Sequence, residues 1–266
     1  MEQINARSIF SPATGFIQRG GFDWTCNPYL GCSFGCVYCY AMFLPQNPRP
    51  REDWGKWFQA KVNAVELASK QARKLAGKAV YVSSVTDPYL PAERSLELTR
   101  GILEAMVPHQ PRLLIQTRSP LVVRDVDVLG RFDAVRVNMS IPTDSEEVRQ
   151  AFEPKAPALE RRWEAIAAVR AAGIPVGICV TPMLPLHDPE AFVKRLVDFR
   201  PDVVVVQDFH DSGGAFGANT AEGARMLLEQ RRWTIEDYGG MVGRLREKLQ
   251  VYEGEAGFFP PGRHHD

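Results

Sequence analysis

Asn27-Pro-Tyr-Leu-Gly-Cys32-Ser-Phe-Gly-Cys36-Val-Tyr-Cys39-Tyr-Ala41 carries three cysteines at CxxxCxxC spacing. Three thiolates this close in sequence can hold three irons of a cubane [4Fe-4S] cluster and leave the fourth iron open to a substrate or cofactor. A structural zinc site wants four closed protein ligands, and no His or fourth Cys follows Cys39 nearby to complete one. Cys26 is the remaining candidate, but Pro28 and Gly31 assign it to a separate loop. The spacing points to an open iron-sulfur site with Cys32, Cys36 and Cys39 as ligands, and zinc as the alternative.

Downstream of this loop, apolar strand-like runs recur at residues 79–85, 112–117, 134–141, 174–181 and 203–207, and a first strand is expected near residues 21–25. Helical patterns lie between them. Val62, Val65, Ala68, Ala72 and Leu75 share one face; Leu96, Thr99, Leu103 and Met106 share another; Leu159, Trp163, Ile166 and Val169 share a third. Continuous Val and Ile runs alternating with amphipathic helices predict a parallel sheet covered by helices. Six strand-helix units are too few for a closed eight-stranded barrel. The expected fold is α/β, a partial, open (β/α)6 TIM-like barrel, with a flavodoxin-like open sheet as the alternative that periodicity alone allows. One domain over residues 1–266 is expected, with a core at about 20–210 and a helical extension at about 218–250.

Polar residues gather at one end of these strands: Ser83, Ser84, Thr86 and Asp87 after the second, Gln116, Thr117 and Arg118 after the third, Asn138 and Ser140 in the fourth, Thr181 after the fifth, Gln207 and Asp208 after the sixth. Parallel strands present all their C-terminal ends on one face, so these groups converge with the cysteine loop. In the fifth strand Gly177, Cys179 and Thr181 alternate with Val176, Ile178 and Val180, which places Cys179 in the lumen if the small set faces inward.

Composition narrows the partners. Lys plus Arg and Asp plus Glu number 32 each, so the formal net charge is zero and nothing global favours a polyanion. Arg118, Arg124, Arg131 and Arg136 are the strip that could still meet phosphates. Three of the five cysteines are assigned to the cluster, and the two left over suit a reducing cytoplasm better than a disulfide scaffold. No apolar run approaches membrane-spanning length, and residues 1–18 lack a basic start followed by an apolar core. A soluble cytoplasmic protein is expected. The run Asp211-Ser-Gly-Gly-Ala-Phe-Gly217 lacks the Lys and Ser/Thr of a phosphate loop and reads as a lid over the open barrel, with an ordinary surface loop as the alternative. His187, His210 and Asp211 lie within reach of a substrate, and His264 and His265 stand near the end of the sequence.

The cysteine motif with an aromatic residue before its last Cys resembles the radical S-adenosylmethionine (SAM) superfamily. Gly31-Cys32, Tyr38-Cys39-Tyr40-Ala41, Thr86-Asp87-Pro88, Phe152-Glu153-Pro154 and Glu160-Arg161-Arg162 together resemble the spore photoproduct lyase family within it, from about Cys26 to about Pro185. That resemblance implies a [4Fe-4S] cluster whose vacant iron takes the amine and carboxylate of SAM, reductive cleavage to methionine and a 5'-deoxyadenosyl radical, and hydrogen abstraction from a substrate. Arg118 stands where the family has a basic residue and is the expected carboxylate ligand. Ser84, Thr86, Asp87, Asn138 and Ser140 are expected around the amine and ribose, and Tyr38 is expected to support the adenine. Val82-Ser83-Ser84-Val85 stands where superfamily members often carry Gly-Gly-Glu.

In the lyase family, tyrosines like Tyr38 and Tyr40 and a cysteine near the end of the second strand are linked to hydrogen-atom return. Ser84 takes that cysteine's place here. A serine O–H bond is too strong to donate hydrogen to a carbon radical, so Tyr40 and Cys179 become the candidate catalytic groups. A small metabolite is the expected substrate, with a flavodoxin or ferredoxin as reductant. Nucleic-acid lesion repair is the disfavoured alternative, and a non-enzymatic iron-sulfur or zinc redox module is the alternative of another class.

Overall fold

The computed structural model describes residues 1–45, 47–209 and 221–262. Its strands are β1 (Glu2–Ile4), β2 (Phe10–Pro12), β3 (Trp24–Cys26), β4 (Tyr29–Gly31), β5 (Phe58–Lys61), β6 (Ala79–Val82), β7 (Arg112–Thr117), β8 (Val135–Ser140), β9 (Val176–Val180), β10 (Val203–Val206) and β11 (Val251–Glu253). The helices are α1 (Gly15–Arg19), α2 (Ala64–Gln71), α3 (Glu93–Leu96), α4 (Leu98–Met106), α5 (Val126–Leu129), α6 (Glu146–Phe152), α7 (Leu159–Ala171), α8 (Pro189–Phe199), α9 (Glu222–Gln230) and α10 (Ile235–Arg246).

Eight strands form one sheet in the order β11-β10-β9-β8-β7-β6-β3-β2. Every pairing from β3 to β11 is parallel, and β2 adds an antiparallel edge. The edges do not pair with each other, so the sheet is an open, partial (β/α) barrel. The six expected parallel strands are present. A seventh, β11, follows the helices of the C-terminal extension.

Alternation sorts the strand residues into two cores. Val80, Ile115, Val137, Ile178 and Val204 pack beneath the helices with Ala68, Leu103, Trp163 and Ile166. Tyr81, Leu114, Cys179 and Val205 point the other way and form the interior with Phe22 and Phe258. Cys179 is therefore on the lumen face, with Val176, Ile178 and Val180 on the helix face.

The helices start where side chains satisfy their free N–H groups. Ser145 accepts from the Val148 N–H at α6, Asp188 from Ala191 at α8 ahead of Pro189, and Thr234 and Asp237 form a capping box at α10. The interior's floor is shared by both ends of the chain. Phe16 of α1 packs edge-on against Phe258 at 6.4 Å, and Arg19 forks onto both carboxylate oxygens of Glu255 at 2.7 Å.

The arginine strip is not a surface feature. Arg136 is buried in the lumen, where Nε donates to Asn138 Oδ1 at 3.1 Å and Nη2 to the Phe259 carbonyl at 2.8 Å. Burial lowers its pKa to about 10. Arg124 is paired with Glu93 and Asp125, and Arg118 lies in the site described below. Only Arg131 of the four is exposed, because strand alternation turned Arg136 inward and buried carboxylates captured Arg118 and Arg124.

Candidate functional site

A second, three-stranded sheet, β1-β5-β4, frames the cysteine loop at the C-terminal end of the barrel strands. The loop turns at Gly35, whose φ of +67° is a left-handed conformation, and a Cβ there would sit 3.0 Å from the Gly55 Cα. The Val37 N–H donates to the Phe152 carbonyl at 2.9 Å and fastens the loop to the end of α6. Cys32, Cys36 and partly buried Cys39 share one apolar cluster with Tyr29, Phe34 and Tyr38. Burial pushes each of the three thiols up to about 12. Ser33, beside Cys32, has a buried Oγ with no partner among the described residues.

Among the described residues no three His, Cys, Asp or Glu side chains are grouped to hold a metal ion. A single tetrahedral ion asks its ligands to converge on one point. A cubane binds each cysteine to a different iron and does not. Two buried thiols and a partly buried third, a buried unpartnered hydroxyl beside Cys32 and a guanidinium on one sulfur are a donor set that fits such a cluster.

That guanidinium is Arg118, immediately after β7. Its Nη1 donates to Cys36 Sγ at 2.7 Å, to Glu153 Oε1 at 2.5 Å and lies 3.1 Å from the Tyr38 hydroxyl. Burial opposes its charge, but Cys36, Tyr38, Glu153 and Asp87 outweigh burial and raise its pKa well above the ordinary value. Glu153 is wholly buried, accepts from the Tyr38 hydroxyl through Oε1 and pairs with Arg162 at 2.5 Å through Oε2. Burial pushes the Glu153 carboxyl up, yet Arg162 and Arg118 hold it below its usual range. Burial likewise dominates at Tyr38 and raises its phenol. Arg162 also donates to the Ser140 carbonyl at 3.0 Å, which ties α7 to the end of β8.

The expected cofactor-binding residues come together around this network, each with a protein partner. Asp87 accepts from the Tyr89 N–H at 2.9 Å, the Thr117 hydroxyl at 2.8 Å and the Arg118 N–H at 2.9 Å, and so brackets the main chain of Arg118. Burial nevertheless raises its pKa. Ser84 and Val85 give their N–H groups to Asn27 Oδ1 at 3.0 and 3.2 Å. Thr86 donates to the Gly31 carbonyl at 2.6 Å, and the Tyr40 hydroxyl donates to the Ser84 carbonyl.

Deeper in the lumen, Gln116 donates to Ser140 Oγ at 3.0 Å and accepts from Cys179 Sγ at 3.5 Å. Cys179 is fully buried, and burial pushes its thiol up to about 12. Asn138 is also fully buried, and its Nδ2 has no partner among the described residues. Its Oδ1 reaches over Gly177, where a Cβ would meet it at 2.2 Å.

Glu153 and Arg162 stand in two of the motif fragments, and the sequence leaves their roles unassigned. The signal was there: Arg162 lies on the same face of α7 as Leu159, Trp163 and Ile166, and a charge on a buried face needs a buried partner. His187 is exposed, with its N–H on Asp144. His210, Asp211, the run from Asp211 to Gly217, His264 and His265 lie outside the described residues.

Residues 26–199 match the Radical SAM superfamily. An uncharacterized protein, ORF301, of Acidianus two-tailed virus is 31% identical over 221 residues, covering 74% of this chain and 73% of the relative. The uncharacterized protein MJ0683 of Methanocaldococcus jannaschii is 33% identical over 180 residues, covering 67% of this chain and 68% of the relative. A spore photoproduct lyase mutant solved with bound AdoMet and dinucleoside spore photoproduct superposes with a TM-score of 0.62 at 15% identity, covering 94% of this chain and 80% of the other, a likeness of fold. The chain belongs to the radical SAM superfamily and is an enzyme of the class that cleaves S-adenosylmethionine to generate a radical.

Proposed function

We propose that this enzyme, a single domain over residues 1–266, holds one [4Fe-4S] cluster through Cys32, Cys36 and Cys39 and uses SAM to abstract hydrogen from a small metabolite. When bound, the cluster supplies the electron that splits SAM into methionine and a 5'-deoxyadenosyl radical. The observation that supports the reading is Arg118, whose guanidinium reaches Cys36 Sγ at 2.7 Å from the C-terminal end of β7. Arg118 binds that carboxylate. Asp87 fixes the Arg118 backbone, Tyr38 flanks the adenine, and Ser84, Thr86, Asn138 and Ser140 line the amine and ribose side. Among the groups near the site, Tyr40 and Cys179 have X–H bonds weak enough to return a hydrogen atom.

The zero net charge and the inward arginines support a metabolite over nucleic acid. No helix of the described residues is long and apolar enough to cross a membrane. A cytoplasmic setting with a flavodoxin or ferredoxin as reductant completes the proposal. The test is anaerobic reconstitution with iron and sulfide, followed by measurement of 5'-deoxyadenosine after dithionite reduction. Formation by the parent and loss in Cys36→Ala is the expected result. One equivalent of zinc in iron-replete protein, with no SAM cleavage, would overturn it.

A further inference from the structure

We infer that Glu153 is a positioning residue that holds Arg118 by one corner so that the rest of its guanidinium faces SAM. The inference rests on the reading of Arg118 as the carboxylate ligand and names what aims it. All three contacts of the Arg118 guanidinium, to Cys36 Sγ, Tyr38 Oη and Glu153 Oε1, are made at Nη1. Among the described residues, Nε and Nη2 make no hydrogen bond, and the side chain is 18% exposed. The free Nε/Nη2 edge is the one that matches a carboxylate with two parallel hydrogen bonds.

Glu153 can hold that corner because it is itself fixed. It is wholly buried, and its other oxygen is paired with fully buried Arg162, which is anchored to the Pro157 and Ser140 carbonyls at 2.9 and 3.0 Å. The Tyr38 hydroxyl donates to the same Oε1 that Arg118 uses, so one carboxylate oxygen orients both side chains that the proposed site turns toward SAM. Glu153 also sets the local charge. Its negative charge faces Arg118 and Arg162, and Asp87, which accepts from the Arg118 N–H at 2.9 Å, adds a second carboxylate to the group.

The test compares parent, Glu153→Asp, Glu153→Gln/Arg162→Met and Arg118→Ala proteins after anaerobic reconstitution. The aspartate keeps the charge opposite Arg162 but is one methylene too short to reach Arg118, and the double variant removes the Arg162 pair together so that Arg162 is not left as an unpaired buried charge. Iron content and far-UV circular dichroism report the fold and the cluster, and equilibrium dialysis with labelled SAM reports affinity. Both Glu153 variants are expected to keep parental iron content and bind SAM about tenfold more weakly, as the loss of a charge-assisted contact predicts. Added to Arg118→Ala, the Glu153→Asp change is expected to weaken binding no further. Parental SAM affinity in both Glu153 variants, with Arg118→Ala still weakened, overturns the inference and leaves the Arg118 reading standing. Parental affinity in Arg118→Ala overturns the Arg118 reading itself. Iron lost in step with affinity makes Glu153 a structural support of the cysteine loop and also overturns the positioning role.

Discussion

Arg118 Nη1 lies 2.7 Å from Cys36 Sγ, a contact that spans 82 residues of sequence and joins the end of β7 to the middle cysteine of the loop. A guanidinium on a thiol sulfur stabilises negative charge there, and among the described residues the Nε and Nη2 of the same group make no hydrogen bond, which leaves them for the carboxylate proposed above.

Arg118→Lys keeps the charge but replaces a planar fork with one ammonium. That ammonium cannot offer SAM's carboxylate two parallel hydrogen bonds while Glu153 holds it. The expected outcome is unchanged iron content with SAM affinity weakened about tenfold, by analogy with other charged hydrogen bonds. Equilibrium dialysis checks it, and parental affinity would remove Arg118's fork from the account.

Gly177→Ala would place a Cβ 2.2 Å from Asn138 Oδ1, closer than any real contact, and Asn138 is fully buried. Either Asn138 abandons its bond to Arg136 or the strands part. A loss of about 1–3 kcal/mol is expected from overpacking. Urea unfolding of the apo protein measures it, and a second substitution, Asn138→Ala, should recover part of the loss by removing the opposing atom.

Cys179→Ala tests hydrogen return. Its thiol is fully buried and bonded to Gln116, so the substitution leaves the cysteine loop untouched. The expected result with a cognate substrate is continued formation of 5'-deoxyadenosine with little quenched product. Product formed at the parental ratio to 5'-deoxyadenosine would assign hydrogen return elsewhere, with Tyr40 next to examine.

The pH dependence of stability has a definite sign at Glu153. Its folded pKa lies below the ordinary value of 4.5. Its contribution is therefore complete above that value and is lost as the pH falls through the folded pKa. Glu153→Gln removes this dependence and leaves Arg162 unpaired, at a cost of about 3–5 kcal/mol near neutrality. The gap between the urea midpoints of parent and variant should be full near pH 7 and begin to narrow as the pH falls below 4.5. A constant gap across that range would contradict the assignment.

The sequence revealed the barrel because its strands are buried on both faces and read as unbroken apolar runs. The run at residues 112–117 is β7 to the residue. The second strand was expected to reach residue 85 but stops at Val82, because Asn27 Oδ1 takes the N–H groups of Ser84 and Val85 away from the ladder. A side-chain acceptor 57 residues upstream leaves no mark on local pattern. The strand expected at residues 21–25 is displaced to Trp24–Cys26, since Gly21 adopts φ +91° and Asp23 binds Ala79 through main chain and side chain. Strand β11 has three residues, too few for a period to register. At the site, the cysteines were legible from spacing, whereas the Glu153 bridge joins motif fragments whose relation exists only in space.

The floor shared by α1 and the 254–259 segment has a consequence for synthesis. Arg19 and Glu255 are 236 residues apart, so the first partner leaves the ribosome roughly ten to fifty seconds before the second at ordinary elongation rates. From its own emergence until that moment Tyr81 lacks the Phe258 ring that packs against it in the finished molecule, and its cluster with Leu114 and Val205 is incomplete. The nascent chain carries an apolar opening that the 254–259 segment shuts, and this interval is when a chaperone would have most to hold.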